Sequence, residues 1–130
     1  MSSAMPLPAD TLTIAEVAER TGLTAHTLRY YEKAGLIDPV ERSASGQRRY
    51  AATDLDWIEF LLRLRDTGMS IADMQRFAEL RRNGPPTFPD RLALLHEHRA
   101  QLARRIRDLQ DNAAALDDKI TFYETHLGES

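Results

Sequence analysis

From Leu92 to Leu127 the chain carries two interleaved series at heptad spacing. One is Leu92, Arg99, Ile106, Ala113, Ile120 and Leu127; the other is Leu95, Leu102, Leu109, Leu116 and Tyr123. A seam kept over about five heptads specifies a coiled coil. The spacing predicts one helix from Asp90 to about His126, within a dimerisation segment 90–127. Such a helix is about 55 Å long at 1.5 Å per residue. Standing alone it leaves its apolar face in water, so it needs a partner. The rest of the sequence holds no second long helix, and the economical partner is another copy of the chain. The expected dimer contacts are Leu92, Leu95, Leu102, Ile106, Leu109, Leu116, Ile120 and Tyr123. Arg99 fits the seam if its stem packs and its head reaches outward.

Charge suggests the direction of pairing. Residues 90–107 hold Arg91, Arg99, Arg104, Arg105 and Arg107 against Asp90 and Glu97, a balance of +3. Residues 108–130 hold Asp108, Asp111, Asp117, Asp118, Glu124 and Glu129 against Lys119, a balance of −5. Antiparallel pairing sets opposite halves side by side, although each surface pair is weak.

Ahead of this helix, NGPPTFP (residues 83–89) is a strong break, because Asn-Gly and two prolines stop a helix and cannot continue a strand. It reads as a linker between a head, 11–82, and the coil. Residues 1–10, MSSAMPLPAD, lack a basic start and an apolar centre, so they read as a flexible tail and not as a secretory signal. No apolar run approaches the ~20 residues of a membrane span. The chain has no cysteine. Disulfides, thiolate metal sites and thiol redox sensing are thereby excluded. A soluble protein in the cytoplasm is expected. Net charge is −3, so any affinity for nucleic acid must come from local arrangement.

The head reads as four short helices and a hairpin. Thr13 and Glu16 suit a capping box, with Ile14, Val17 and Ala18 facing inward. Gly22 stops that helix. Thr24 caps the next, which runs to about Ala34 before Gly35. VERSASGQRRY follows as a hairpin with a Ser-Gly tip. Thr53 opens a third helix with Trp57, Ile58, Leu61 and Leu62 inside, and Gly68 stops it. Ser70 caps a fourth, with Ile71, Met74, Phe77 and Ala78 inside and Arg81 and Arg82 at its C-terminal end.

In the second helix two tyrosines are adjacent, and helical neighbours point about 100° apart. Leu28 and Tyr31 fall on one side. His26, Arg29, Tyr30 and Lys33 fall on the other, at i, i+3, i+4 and i+7 spacing. Tyr31 is therefore expected inside with its hydroxyl at the rim, and Tyr30 outside in a cationic stripe. Arginine grips guanine O6 and N7 or phosphate; lysine, histidine and tyrosine hold backbone oxygens. Two helices joined by a tight Gly22–Thr24 turn read as a helix-turn-helix with residues 24–34 in the recognition position. Beside it, Arg48, Arg49 and Tyr50 form a ribbon that reaches adjacent phosphates as a wing does. Arg48 and Arg49 point to opposite strand faces, so one is expected on DNA and the other as a brace. From Arg29 to Arg65 the charge excess is only +1, so the basic surface must be segregated.

TIAEVAERTGLTAHTLRYYEKAGLI, GQRRY, LRLRDTGMSIADM and the terminal coil, in that order, resemble the MerR family of bacterial transcription regulators. The resemblance implies a mainly α protein: a winged helix-turn-helix DNA-binding head plus an antiparallel coiled-coil dimerisation helix. It implies a homodimer on a pseudo-palindromic promoter, bending and undertwisting an overlong spacer so that RNA polymerase engages both promoter elements. Carried onto matching positions, it implies DNA contacts from Arg29, Tyr30 and Tyr31 of the recognition helix, Arg48 and Tyr50 of the wing, and Arg65. With the stripe and the cap, the expected DNA-binding set is Thr24, His26, Thr27, Arg29, Tyr30, Tyr31, Lys33, Arg48, Arg49, Tyr50 and Arg65.

The chain departs from thiol- and metal-sensing members in lacking cysteine, and no metal or other cofactor is expected. His96 and His98 diverge by about 200° on a helix and cannot chelate together from one chain. The short form resembles small regulators grouped with aldehyde stress, without their thiol chemistry. A small-molecule effector has weak candidate contacts in Trp57, Phe77 and Phe88, for which core packing is the better explanation. An effector-independent architectural or excisionase-like DNA binder is the alternative, and a coiled-coil adaptor a third. No nucleophile–base set, phosphate loop or ligand cluster suggests an enzyme.

Overall fold

A computed structural model describes residues 11–128; the tail expected at 1–10 lies outside them. The chain divides into two compact units between Arg91 and Leu92. In order, the elements are β1 (Thr11–Thr13), α1 (Ile14–Thr21), α2 (Ala25–Lys33), β2 (Glu41–Arg42), β3 (Arg48–Ala51), α3 (Ala52–Asp66), α4 (Ile71–Arg82) and α5 (Phe88–Thr125). A single 3-10 turn, Pro85–Thr87, precedes α5.

Local chemistry accounts for the helix starts. Thr13 and Glu16 close a full capping box: Thr13 Oγ1 accepts from the Glu16 amide at 3.1 Å and the Glu16 carboxylate from the Thr13 amide at 2.8 Å. Thr24 and Ser70 cap α2 and α4 through their hydroxyls. The third helix opens one residue before Thr53, because the Asp54 carboxylate, not a threonine, accepts from the Ala51 amide at 2.8 Å. Gly22 follows α1 at φ 77°, left-handed backbone that lets its amide bond Ala18 and turns the chain into α2.

The strands form one antiparallel sheet in the order β1-β3-β2. In it Leu12 lies opposite Tyr50, and Thr13 and Glu41 flank Arg49. The strand β1 was not expected from the sequence. The core of this unit is Val17, Leu28, Tyr31, Leu36, Ile37, Tyr50, Ile58, Leu61, Leu64, Met74, Phe77 and Ala78 with Trp57. Trp57 stacks on Phe77 at 5.8 Å and donates from its indole N–H to the Leu36 carbonyl at 2.8 Å. Two expectations are corrected. Ile71 is 43% exposed: as the first residue of α4 it precedes the turn that packs. Leu62 is only half-buried.

The second unit is the body of α5, 38 residues in all and about 57 Å long. It begins at Phe88, before the expected Asp90, because Pro89 is tolerated in a first helical turn. It ends at Thr125, so Leu127 falls in a turn beyond the last seam position. None of its residues is buried. Leu95 and Leu102 are half-exposed, and Leu92, Ile106, Leu109, Leu116, Ile120 and Tyr123 are exposed.

Candidate nucleic-acid interface

The helix α2 separates its two tyrosines as the wheel predicts. Leu28 is fully buried and Tyr31 is 6% exposed, while Tyr30 is 52% exposed. His26, Arg29 and Lys33 are exposed on the Tyr30 side. Among the described residues, neither Arg29 nor Lys33 forms an ion pair. An unpaired guanidinium and ammonium on one helix face keep their hydrogen-bonding capacity for an external acceptor. Thr24 and Thr27 are already engaged: the Thr24 hydroxyl accepts from the Thr27 amide at 3.0 Å and donates to the Thr27 hydroxyl at 2.9 Å. They fix the start of the helix.

Beside the stripe lies a cleft of ≈ 520 Å³ lined by Thr13, Ile14, Ala15, Arg29, Gly46, Gln47 and Arg48. It joins the first turn of α1, the centre of α2 and the wing tip. The tip is held by its own backbone, with Ser43 and Gln47 bonded at 2.7 Å and the Arg42 guanidinium donating to the Gly46 carbonyl at 3.1 Å.

The wing differs from expectation. Arg48 does not stand free: its guanidinium makes two bonds to the Glu32 carboxylate of α2, at 3.2 and 3.4 Å, with both side chains mostly covered. Arg49, on the other strand face, donates to the Thr11 hydroxyl at 2.9 Å and to its carbonyl at 3.3 Å. Both arginines therefore brace the ribbon, one against the recognition helix and the other against β1. Tyr50 lies in the core and not on the open face of the wing: it is 1% exposed and opposite Leu12. Burial also pushes its phenol upward from the ordinary tyrosine range.

Arg65, near the end of α3, is exposed. It donates to the Tyr31 hydroxyl at 3.3 Å and twice to Asp66, at 3.0 and 2.9 Å. The Tyr31 hydrogen bond, then Asp66, raises its already high pKa, so it is a permanent cation.

Of the effector candidates, Trp57 and Phe77 are core residues. They floor an open groove of ≈ 420 Å³ with Thr53, Asp56, Phe60, Arg81 and Arg91. Phe88 lies outside that lining; it is 58% exposed beneath the Arg91 guanidinium, 4.5 Å away. Phe60, 38% exposed, was missed, because its position beside the α3 core stripe gives no sign of a groove. Among the described residues no group of acidic or imidazole side chains is arranged to hold a metal, and no helix is long and apolar enough to cross a membrane.

Residues 12–80 match the family model described as MerR HTH family regulatory protein, and residues 55–119 match that described as MerR, DNA binding. An uncharacterised HTH-type transcriptional regulator of Haemophilus influenzae is 39% identical over 114 residues, which is 88% of this chain and 84% of that one. HiNmlR, a MerR family regulator lacking the sensor domain and solved bound to promoter DNA, is similar with a TM-score of 0.80 and 38% identity. That match covers 89% of this chain and 92% of HiNmlR. A MerR family regulator from Listeria monocytogenes gives 0.84 and 42%, over 89% and 88% of the two chains. The winged head, the outward cationic stripe and these matches agree: the chain belongs to the MerR family of helix-turn-helix transcription regulators, and it is a DNA-binding regulator, not an enzyme.

Proposed function

We propose that the chain acts as a cytoplasmic homodimer on a pseudo-palindromic promoter. The exposed stripe His26, Arg29, Tyr30 and Lys33 reads one half-site per subunit. This arrangement of unpaired cations beside a cleft is the observation that carries the reading. Arg29 supplies the base contact, and Arg65 and the hydroxyl of Tyr31 hold the backbone. Arg48 and Arg49 act by bracing the wing; Thr24 and Thr27 act by starting the recognition helix.

The partner is a second copy, joined antiparallel along Leu92, Leu95, Leu102, Ile106, Leu109, Leu116, Ile120 and Tyr123. Exposed apolar side chains at heptad spacing favour that partner, because a helix of this length is unstable without one. Pairing fixes two heads to successive turns, about 34–36 Å apart on a duplex. Gripping both half-sites deforms the spacer between them, and RNA polymerase then meets promoter elements in a new phase. A small molecule would regulate this by favouring one head geometry over another.

The test is a gel-shift titration on duplexes selected from genomic DNA, followed by transcription from the same sites. Arg29→Ala should weaken specific binding by about 1–3 kcal/mol, the worth of one bidentate base pairing. Unchanged affinity would remove Arg29 as a reader. Wild-type protein that occupies its site without altering initiation would instead make it an effector-independent architectural binder.

A further inference from the structure

Three consecutive backbone carbonyls just beyond the recognition helix each accept a side-chain hydrogen bond from α3 or α4. The amide of Gln75 donates to the Ala34 carbonyl at 2.9 Å. The Arg82 guanidinium donates to the Gly35 carbonyl, and its Nε donates to the Asp38 carboxylate at 2.5 Å. The Trp57 indole donates to the Leu36 carbonyl at 2.8 Å. Carbonyls that follow a helix C-terminus have no helical partner and take whatever donor the fold supplies. Here every donor comes from α3 or α4.

We propose that Gln75 and Arg82 are positioning residues that set the orientation of the recognition helix, with Trp57 as the buried member of the same clamp. Burial of Leu28 and Tyr31 holds α2 against the core, but apolar contact is non-directional. Direction comes from the bonds of Arg48 to Glu32 and of Arg65 to Tyr31, and the bonds just past the helix end add the share that ties α2 to α4. Gly35 sits at φ 80°, left-handed backbone that favours glycine and turns its carbonyl out of the helix path. The clamp also connects to the start of α5. Thr87 donates to the Leu80 carbonyl at 2.6 Å, and Arg91 donates to the Gly84 carbonyl at 2.8 Å and to the Thr87 hydroxyl at 3.0 Å. The end of α4 is thus bonded on one side to the loop that follows the recognition helix and on the other, through the Gly84–Thr87 turn, to Arg91 in the first turn of α5. In a dimer, half-site spacing is read through that chain of bonds.

This inference rests on α2 being the recognition helix, so the experiment includes Arg29→Ala as the variant that tests that premise. Full-length wild type, Gln75→Ala/Arg82→Ala and Arg29→Ala are titrated by fluorescence anisotropy against three kinds of duplex. These are the site enriched by genomic selection, the same site with one base pair added or removed at its centre, and a scrambled duplex of equal length. Circular dichroism and sedimentation confirm that each variant is folded and of wild-type mass. The double variant should bind the selected site about tenfold more weakly, as expected for removing charge-assisted bonds. Its affinity for the scrambled duplex should stay within about twofold, the usual reach of a change that leaves the phosphate grip in place. Its preference for the native spacing should flatten. Arg82→Lys, which keeps the charge but not the fork, should recover only part of the effect.

The proposal is overturned if the double variant keeps both affinity and spacing preference while Arg29→Ala loses specific binding. It is equally overturned if specific and scrambled affinities fall together, since that is a loss of stability and not of aim. If Arg29→Ala itself binds normally, the reading of α2 fails first, and this one with it. Should the double variant lose helicity, the single variants carry the same comparison, each expected to flatten the spacing preference in part.

Discussion

Arg65 donates a hydrogen bond to the hydroxyl of Tyr31 across 3.3 Å, joining the end of α3 to the inner face of the recognition helix. The ring of Tyr31 belongs to the core, yet its oxygen lies beside an exposed guanidinium. The wheel's interior ring with its hydroxyl at the rim is what the structure holds. Tyr31→Phe should keep the fold and cost about 0.5–1.5 kcal/mol in denaturant unfolding, the net worth of one hydrogen bond. Arg65→Ala should lower the slope of log affinity against log salt by about 0.9, the share of a single neutralised phosphate. A slope equal to wild type would take Arg65 off the DNA.

Tyr50 yields a prediction of the opposite kind. It is a core ring, so Tyr50→Ala should destabilise the head by about 3–5 kcal/mol through the cavity left behind. Tyr50→Phe should leave both the unfolding midpoint and the gel-shift affinity close to wild type. A large affinity loss in a stable Tyr50→Phe protein would show that the phenol does reach DNA.

What was legible in the sequence follows from the range of the forces involved. Thr13 with Glu16, Thr24 and Ser70 act within one turn of chain, so their capping roles are visible in order alone. The division of Tyr30 from Tyr31 follows from helical geometry. The burial of Tyr50 does not: it depends on Leu12, brought opposite by a three-residue strand too short to show alternation. The engagement of Arg48 by Glu32 joins positions sixteen apart, and the bond from Arg82 to Gly35 joins positions forty-seven apart. No local pattern marks either. Ile71 shows the limit of periodicity, which assigns a face without knowing where packing begins.

The capping box of α1 carries a pH dependence. Hydrogen bonds from the backbone and side chain of Thr13 hold the Glu16 carboxyl below its ordinary range. A group whose folded pKa is depressed stabilises fully above its unfolded value and loses that contribution as pH falls through the folded one. Wild-type stability should therefore decline on acidification below about pH 4–5, where an unfolded glutamate begins to protonate. Glu16→Gln should show a shallower decline over the same window. Thermal unfolding of both proteins at pH 6 and pH 3.5 checks this. Equal losses on acidification would assign the decline to other carboxylates.

Leu109 is 61% exposed near the middle of α5. A seam residue so exposed gives the single chain little, so Leu109→Asp should leave the head's unfolding transition unchanged. The dimer is where it should act. In the proposed antiparallel dimer a carboxylate at this central layer would meet apolar side chains from the partner and be desolvated without a counter-charge. Sedimentation should then report monomers at micromolar concentration. Separation also removes the linkage between two half-site grips, which raises avidity by about 10²–10⁴ in linked binders. Specific DNA affinity should fall by about that range, and helix content should drop as the unpartnered coil frays. Leu109→Ile, which keeps the layer apolar, should remain dimeric. A full-mass dimer from Leu109→Asp would mean that the seam runs along another face of α5.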